Sequence, residues 1–182
     1  MKTIGIIGGI APESTVEYYR SIIALYRKRT RDGSYPPILI NSIDLSKLIR
    51  WMNAGELDAV TDYLVAEIEK LERAGVDFVV LASNTPHIVL NQVQARVSLQ
   101  MISIVQATRD RARDLNLQRP ALFGTRFTMQ GKFYSEVFAE AGINIIVETI
   151  GPWKSIAAGT PGARNFRAGG PAANLEQRIR GG

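Results

Sequence analysis

Short apolar runs alternate with longer stretches of mixed polarity along the first 147 residues, and the two kinds repeat with different periods. Thr3–Ile7, Ile38–Ile43, Asp77–Ala82 and Met101–Ile104 are rich in β-branched and aliphatic residues and bounded by turn residues, which predicts buried strands. Between them the apolar positions recur at helical spacing. Val16, Tyr19, Ile23 and Tyr26 predict one face of a first helix that starts near Pro12 and Ser14. Leu57, Val60, Leu64, Ile68 and Leu71 mark the stripe of a long helix over roughly 56–74, with Gly75 as its C-terminal cap. Further on, the pattern predicts helices over 88–97, 105–115 and 129–141 and strands over 120–123 and 143–147. Strands this apolar, each followed by a helix, predict an α/β fold with a doubly wound parallel sheet covered on both faces.

Beyond Val147 the pattern is lost. Residues 148–182 hold seven of the sixteen glycines and three of the eight prolines, a proportion typical of low-complexity sequence. A weak helical stretch near Asn174–Arg180 is the exception. The expected organisation is an N-terminal domain over 1–102, part of a second α/β domain over 103–147, and an atypical tail over 148–182.

Charge and composition narrow the function classes. Of the net charge of +5, +3 lies in the tail and +2 is spread over the amphipathic helices. No basic stripe carries interleaved aromatics, so the folded part is not expected to bind nucleic acid. No apolar run approaches the length that crosses a bilayer, and Met1-Lys2-Thr3-Ile4 lacks the build of a signal peptide, so no membrane association and a cytoplasmic location are expected. With no cysteine and a single histidine, His87, disulfides, thiolate nucleophiles and the usual metal centres are not expected.

Three polar strand ends carry the candidate chemistry. Gly5-Ile6-Ile7-Gly8-Gly9-Ile10-Ala11-Pro12 is a glycine-rich strand-to-helix turn, either a tight turn alone or a site for a carboxylate or phosphate. It lacks the dinucleotide spacing, and Asp44 comes too late to be a ribose-binding carboxylate. Ser83-Asn84-Thr85 ends the third strand with a hydroxyl, an amide and a second hydroxyl; these would serve either as a helix cap or as ligand contacts. His87 beside them reads as packed or capping. Gly124-Thr125-Arg126-Phe127-Thr128 has the same two readings. In a doubly wound sheet, ligands bind at the carboxyl ends of strands, so the three ends would converge on one cleft.

These segments, taken together and in order, resemble the aspartate/glutamate racemase family. Lys2-Thr3-Ile4-Gly5-Ile6-Ile7-Gly8-Gly9-Ile10-Ala11-Pro12-Glu13-Ser14-Thr15 with Tyr18-Tyr19-Arg20 is similar to the family's opening. Ala74-Gly75-Val76-Asp77 leading to Asn84-Thr85-Pro86-His87 resembles its first catalytic segment. Leu122-Phe123-Gly124-Thr125-Arg126-Phe127-Thr128-Met129 with Phe133-Tyr134 is similar to its mid-chain motif. The resemblance covers roughly residues 1–147.

It implies two similar α/β domains with a small acidic amino acid held between them, racemised without pyridoxal phosphate or metal, and a homodimer. Two side chains on opposite faces of the α-carbon would act, one removing a proton and the other returning one. Carried over by position, Ser83 stands at the first catalytic residue, usually a cysteine. Asn84, Thr85 and Thr125 fall at substrate-binding positions, Ile10 lies in the loop that touches substrate, and Arg50 or Met52 lies where a second loop reaches it. Arg50 would pair with a side-chain carboxylate, or else be a solvated surface arginine.

Two departures bear on activity. A serine replaces the usual thiol, and an unassisted alkoxide is hardly populated at neutral pH. The family's second cysteine, in a Gly-Cys-Thr-Glu type motif, has no counterpart, and the tail reads as a truncated or substituted second domain. Little or no two-base activity is therefore expected. The alternatives are a non-catalytic carboxylate-binding remnant and a related cofactor-free decarboxylase or isomerase of small diacids.

Overall fold

The structure, a computed structural model, describes residues 1–147; the tail over 148–182, including the stretch near Asn174–Arg180 where a weak helix is expected, lies outside the described residues. Strand β1 (Ile4–Gly8) leads into helix α1 (Pro12–Thr30) and strand β2 (Ile38–Ser42). Helices α2 (Leu45–Ala54) and α3 (Leu57–Arg73) follow, then strand β3 (Phe78–Leu81). A 3₁₀ turn (Thr85–Val89) and helix α4 (Leu90–Gln94) lead to strand β4 (Gln100–Ile102). Helices α5 (Ile104–Asp114), α6 (Arg126–Gln130) and α7 (Phe133–Ala139) complete the described chain.

The four strands form one parallel sheet in the order β2-β1-β3-β4. Alternation along the central strands sorts their side chains onto two faces. Ile4, Ile6, Phe78 and Val80 pack with Ile22 of α1 on one side, and Ile7, Val79 and Leu81 pack with α2, α3 and α4 on the other. Both faces are covered, as the apolar runs predict. The α3 stripe also sits as expected: Val60, Leu64, Ile68 and Leu71 are buried, and the helix ends in a Schellman motif. Gly75, at φ 82°, donates to the Glu72 carbonyl while Val76 donates to that of Leu71.

Helix α1 is rotated from the face its apolar residues suggest. Val16 and Tyr19 are 49% and 45% exposed, and the sheet instead meets Thr15, Tyr18 and Ile22. The cause lies at the helix start. A Cβ on Gly8 would stand 2.8 Å from Thr15 Oγ1, and Gly9 N–H donates to that same oxygen at 3.1 Å. This close fit fixes the rotation of α1, and burial along the Thr15 stripe follows.

The second region is less regular than its sequence pattern. The strands expected over 120–123 and 143–147 reduce to one parallel bridge between Ala121 and Ile146. Among the described residues no third strand extends that pair, and an isolated two-stranded ribbon is marginal. The helix expected over 129–141 is broken at Gly131, whose extended backbone (ψ 145°) separates α6 from α7. Likewise, the helix expected over 88–97 is split into the 3₁₀ turn and α4. Ile104, Val105, Ala112, Tyr134, Phe138 and Ile143 form a small core between α5 and α7, and Tyr18 joins it to α1.

Candidate functional site

Strands β1 and β3 lie side by side at the centre of the sheet, yet their following helices depart to opposite faces. This is a topological switch point, where the loops part and leave a crevice above the strand ends. The glycine turn forms one side. Gly9 has φ 80°, and a Cβ there would stand 2.6 Å from Ser42 Oγ, so the turn admits no side chain at that point. Its amide is already committed to Thr15, which limits how much of this loop could meet an anion. Ile10 is 5% exposed and packs in the same apolar cluster as Met52, also 5% exposed. Both therefore sit in the floor beneath the crevice, with little side-chain surface to offer a ligand.

Arg50 lies on α2 and is exposed. That helix starts at Asp44, whose carboxylate accepts from Ser46 N–H at 2.8 Å and from the Ser46 hydroxyl at 2.6 Å. The Ser46 hydroxyl and amide hold the Asp44 carboxyl below its ordinary range. Asp44 is thus a helix cap.

The Ser83-Asn84-Thr85 cluster does not cap the turn that follows it. Asn84 precedes the 3₁₀ turn with helical backbone angles, and its side chain makes no capping bond. Instead Asn84 Oδ1 accepts from the Tyr134 hydroxyl at 2.6 Å. Thr85 Oγ1 lies 3.2 Å from Thr125 Oγ1. Ser83 is half-buried, and among the described residues its hydroxyl is left without a partner.

His87 is buried and bridges two segments. Ile104 N–H points at Nε2 at 3.3 Å, so Nε2 is the acceptor and Nδ1 carries the proton, which it donates to the Ser83 carbonyl at 3.0 Å. Burial lowers its pKa from 6.5 to about 4, against the smaller opposing effect of the Ser83 and Asn84 backbone groups. The imidazole is neutral, with both nitrogens engaged. It therefore acts as a brace between the β3 turn and the start of α5, and cannot serve as a base for the Ser83 hydroxyl.

Thr125 is the one side chain of the cluster that does cap. It precedes α6 and accepts from Thr128 N–H at 3.3 Å, while its hydroxyl also stands 3.1 Å from that of Thr128. A third link, Arg126 to Asn53 Oδ1 at 2.9 Å, joins α6 to α2. The structure thus brings Asn84, Thr85 and Thr125 together. Tyr134, Asn53 and Arg126 were not singled out by sequence reasoning, although Arg126 and Tyr134 fall within the segments quoted above.

A doubly wound α/β domain with polar side chains gathered at its switch point defines the structural class. The chain belongs to the Asp/Glu/Hydantoin racemase family, whose sequence model matches residues 7–175. That match continues past Val147, where the resemblance read from the motifs ends. The chain is 30% identical over 152 residues to the broad specificity amino-acid racemase RacX of Bacillus subtilis, covering 79% of this chain and 63% of that one. An aspartate racemase homologue from Pyrococcus horikoshii superposes with a TM-score of 0.73 at 34% identity, over 82% of this chain and 66% of that one. The aspartate racemase of Picrophilus torridus shares the fold, with a TM-score of 0.67 at 20% identity, over 80% of this chain and 62% of its own. The chain thus spans a little under two thirds of the length of these relatives.

Proposed function

We propose that the crevice is the first half of an amino-acid racemase site and holds a small acidic amino acid, aspartate or glutamate, through its α-carboxylate. The observation that carries this reading is that Thr85, next to Asn84 at the β3 end, stands with its hydroxyl 3.2 Å from that of Thr125 before α6. Asn84 Nδ2 and the Thr85 and Thr125 hydroxyls would hold the α-carboxylate. They would also stabilise the negative charge that develops there when the α-proton leaves. Ser83 would face the α-carbon from the β3 side. Ile10 and Met52 would support the floor from below, and Arg50 would reach the side-chain carboxylate.

The same geometry limits turnover. Racemisation needs the α-proton removed on one face and a proton delivered on the other. Among the described residues Ser83 has no base beside it, since His87 is turned to the backbone, and the chain contains no thiol for either position. No cofactor is required by this reading. The 182-residue chain is accordingly expected to bind its ligand but exchange the α-proton slowly, which leaves a carboxylate-binding protein without turnover as the second reading. The lack of a base at Ser83 among the described residues favours that second reading over isomerisation of diacids, which also begins with proton removal. Exposed Val16, Tyr19 and Ile40 are consistent with pairing of two copies through this region, which sedimentation would test.

The test is α-deuterium incorporation into L- and D-aspartate and L- and D-glutamate in D₂O. Slow incorporation by a chain that binds the ligand fits the proposal. Rapid interconversion of the enantiomers would contradict the assigned limit on Ser83.

A further inference from the structure

The contact between Tyr134 and Asn84 joins residues fifty positions apart. Asn84 is exposed at the crevice, whereas Tyr134 is 5% exposed. The phenol is fixed in a small aromatic cluster, with its ring 5.3 Å from that of Phe133 and 5.9 Å from that of Phe138. Burial raises its pKa to about 12, so it keeps its proton at neutral pH and remains a donor. A carboxamide is planar, with the acceptor oxygen and the donor nitrogen on separate arms of the same carbon. With Oδ1 held by a buried donor, the side-chain rotation of Asn84 is fixed. Its Nδ2, which has no partner among the described residues, is then the atom left to donate to a ligand.

We propose that Tyr134 is a positioning residue for Asn84: its hydroxyl pins Oδ1 from the second region and so leaves Nδ2, rather than the oxygen, to donate to a ligand carboxylate. The proposal rests on the carboxylate-binding reading given above and adds what orients the donor. Without the phenol, Asn84 would rotate freely on an exposed turn, and its oxygen would at times face the carboxylate.

The test uses the full chain labelled with ¹⁵N, as wild type and as Tyr134→Phe, which keeps the ring and removes only the hydroxyl. Asn84 side-chain amide relaxation should change from ordered to mobile. The Kd for aspartate or glutamate should weaken roughly fivefold to tenfold, the worth of about one hydrogen bond. A second variant, Phe138→Leu, loosens the same aromatic cluster while keeping the phenol; it should lower stability yet leave both readouts in place. Unchanged Asn84 order in Tyr134→Phe, or equal loss in Phe138→Leu, overturns the proposal. Absence of binding by the wild type would instead count against the proposed function, while the amide relaxation still decides whether Tyr134 positions Asn84.

Discussion

Thr85 and Thr125, forty residues apart, place their hydroxyl oxygens 3.2 Å from each other. Thr85 closes the β3 strand end and is buried, whereas Thr125 starts α6 and is exposed. One hydroxyl therefore serves a helix cap and a link between regions at once. Any ligand carboxylate that enters between them must replace that link with bonds of its own.

Replacing Thr125 with alanine removes both roles. Loss of the cap and of the hydroxyl contact should cost about 1 to 2 kcal/mol in urea denaturation. Thr125→Ser, which keeps the hydroxyl, should recover most of it. Equal stability of the alanine variant and the wild type would mean that the link is dispensable.

His87 predicts a pH dependence of stability. Its folded pKa lies near 4 and its unfolded value near 6.5. Between those values the unfolded chain binds a proton that the folded chain refuses, so stability falls as pH drops from about 6.5 to about 4 and then levels. A shift of this size corresponds to about 3 kcal/mol at most. Thermal unfolding across pH 4 to 8 should show this loss in the wild type and lack it in His87→Gln, whose overall stability is lower. Parallel pH profiles for the two proteins would exclude the brace as its source.

Ser83 should be limiting for proton removal because, among the described residues, nothing nearby takes its proton. A thiol at the same position populates its anion far more readily. Ser83→Cys should therefore raise α-deuterium incorporation into the bound amino acid by at least about tenfold, with little change in binding. If the variant exchanges no faster than the wild type, Ser83 does not face the α-carbon.

Much of the first region was legible because its elements obey local rules. The β1 and β3 runs are buried on both faces, and the α3 stripe with Gly75 behind it leaves little choice of helix or terminus. The rotation of α1 was not legible, since it depends on Thr15 fitting against Gly8 and Gly9 rather than on its apolar residues. The region after Ile102 was read too regularly. Gly131 breaks a helix that the apolar spacing continues, and among the described residues the expected strands find only each other. For the site, the cluster at Ser83-Asn84-Thr85 was visible as a polar strand end, but its sequence equally suited a cap. Only the partners of Asn84 and Thr85, on α7 and before α6, separate the two readings, and such distant contacts leave no local signal. The places of Ile10 and Met52 in the core likewise depend on how α2 packs beneath the glycine turn.

Calorimetric titration of the full chain with L- and D-aspartate and glutamate, compared with Asn84→Ala, tests the central claim most directly. The account predicts saturable binding of at least one of these acids, weakened by more than about tenfold in Asn84→Ala, as expected when a hydrogen bond to a charged group is lost. No binding of any of the four, or binding that Asn84→Ala leaves intact, would contradict it.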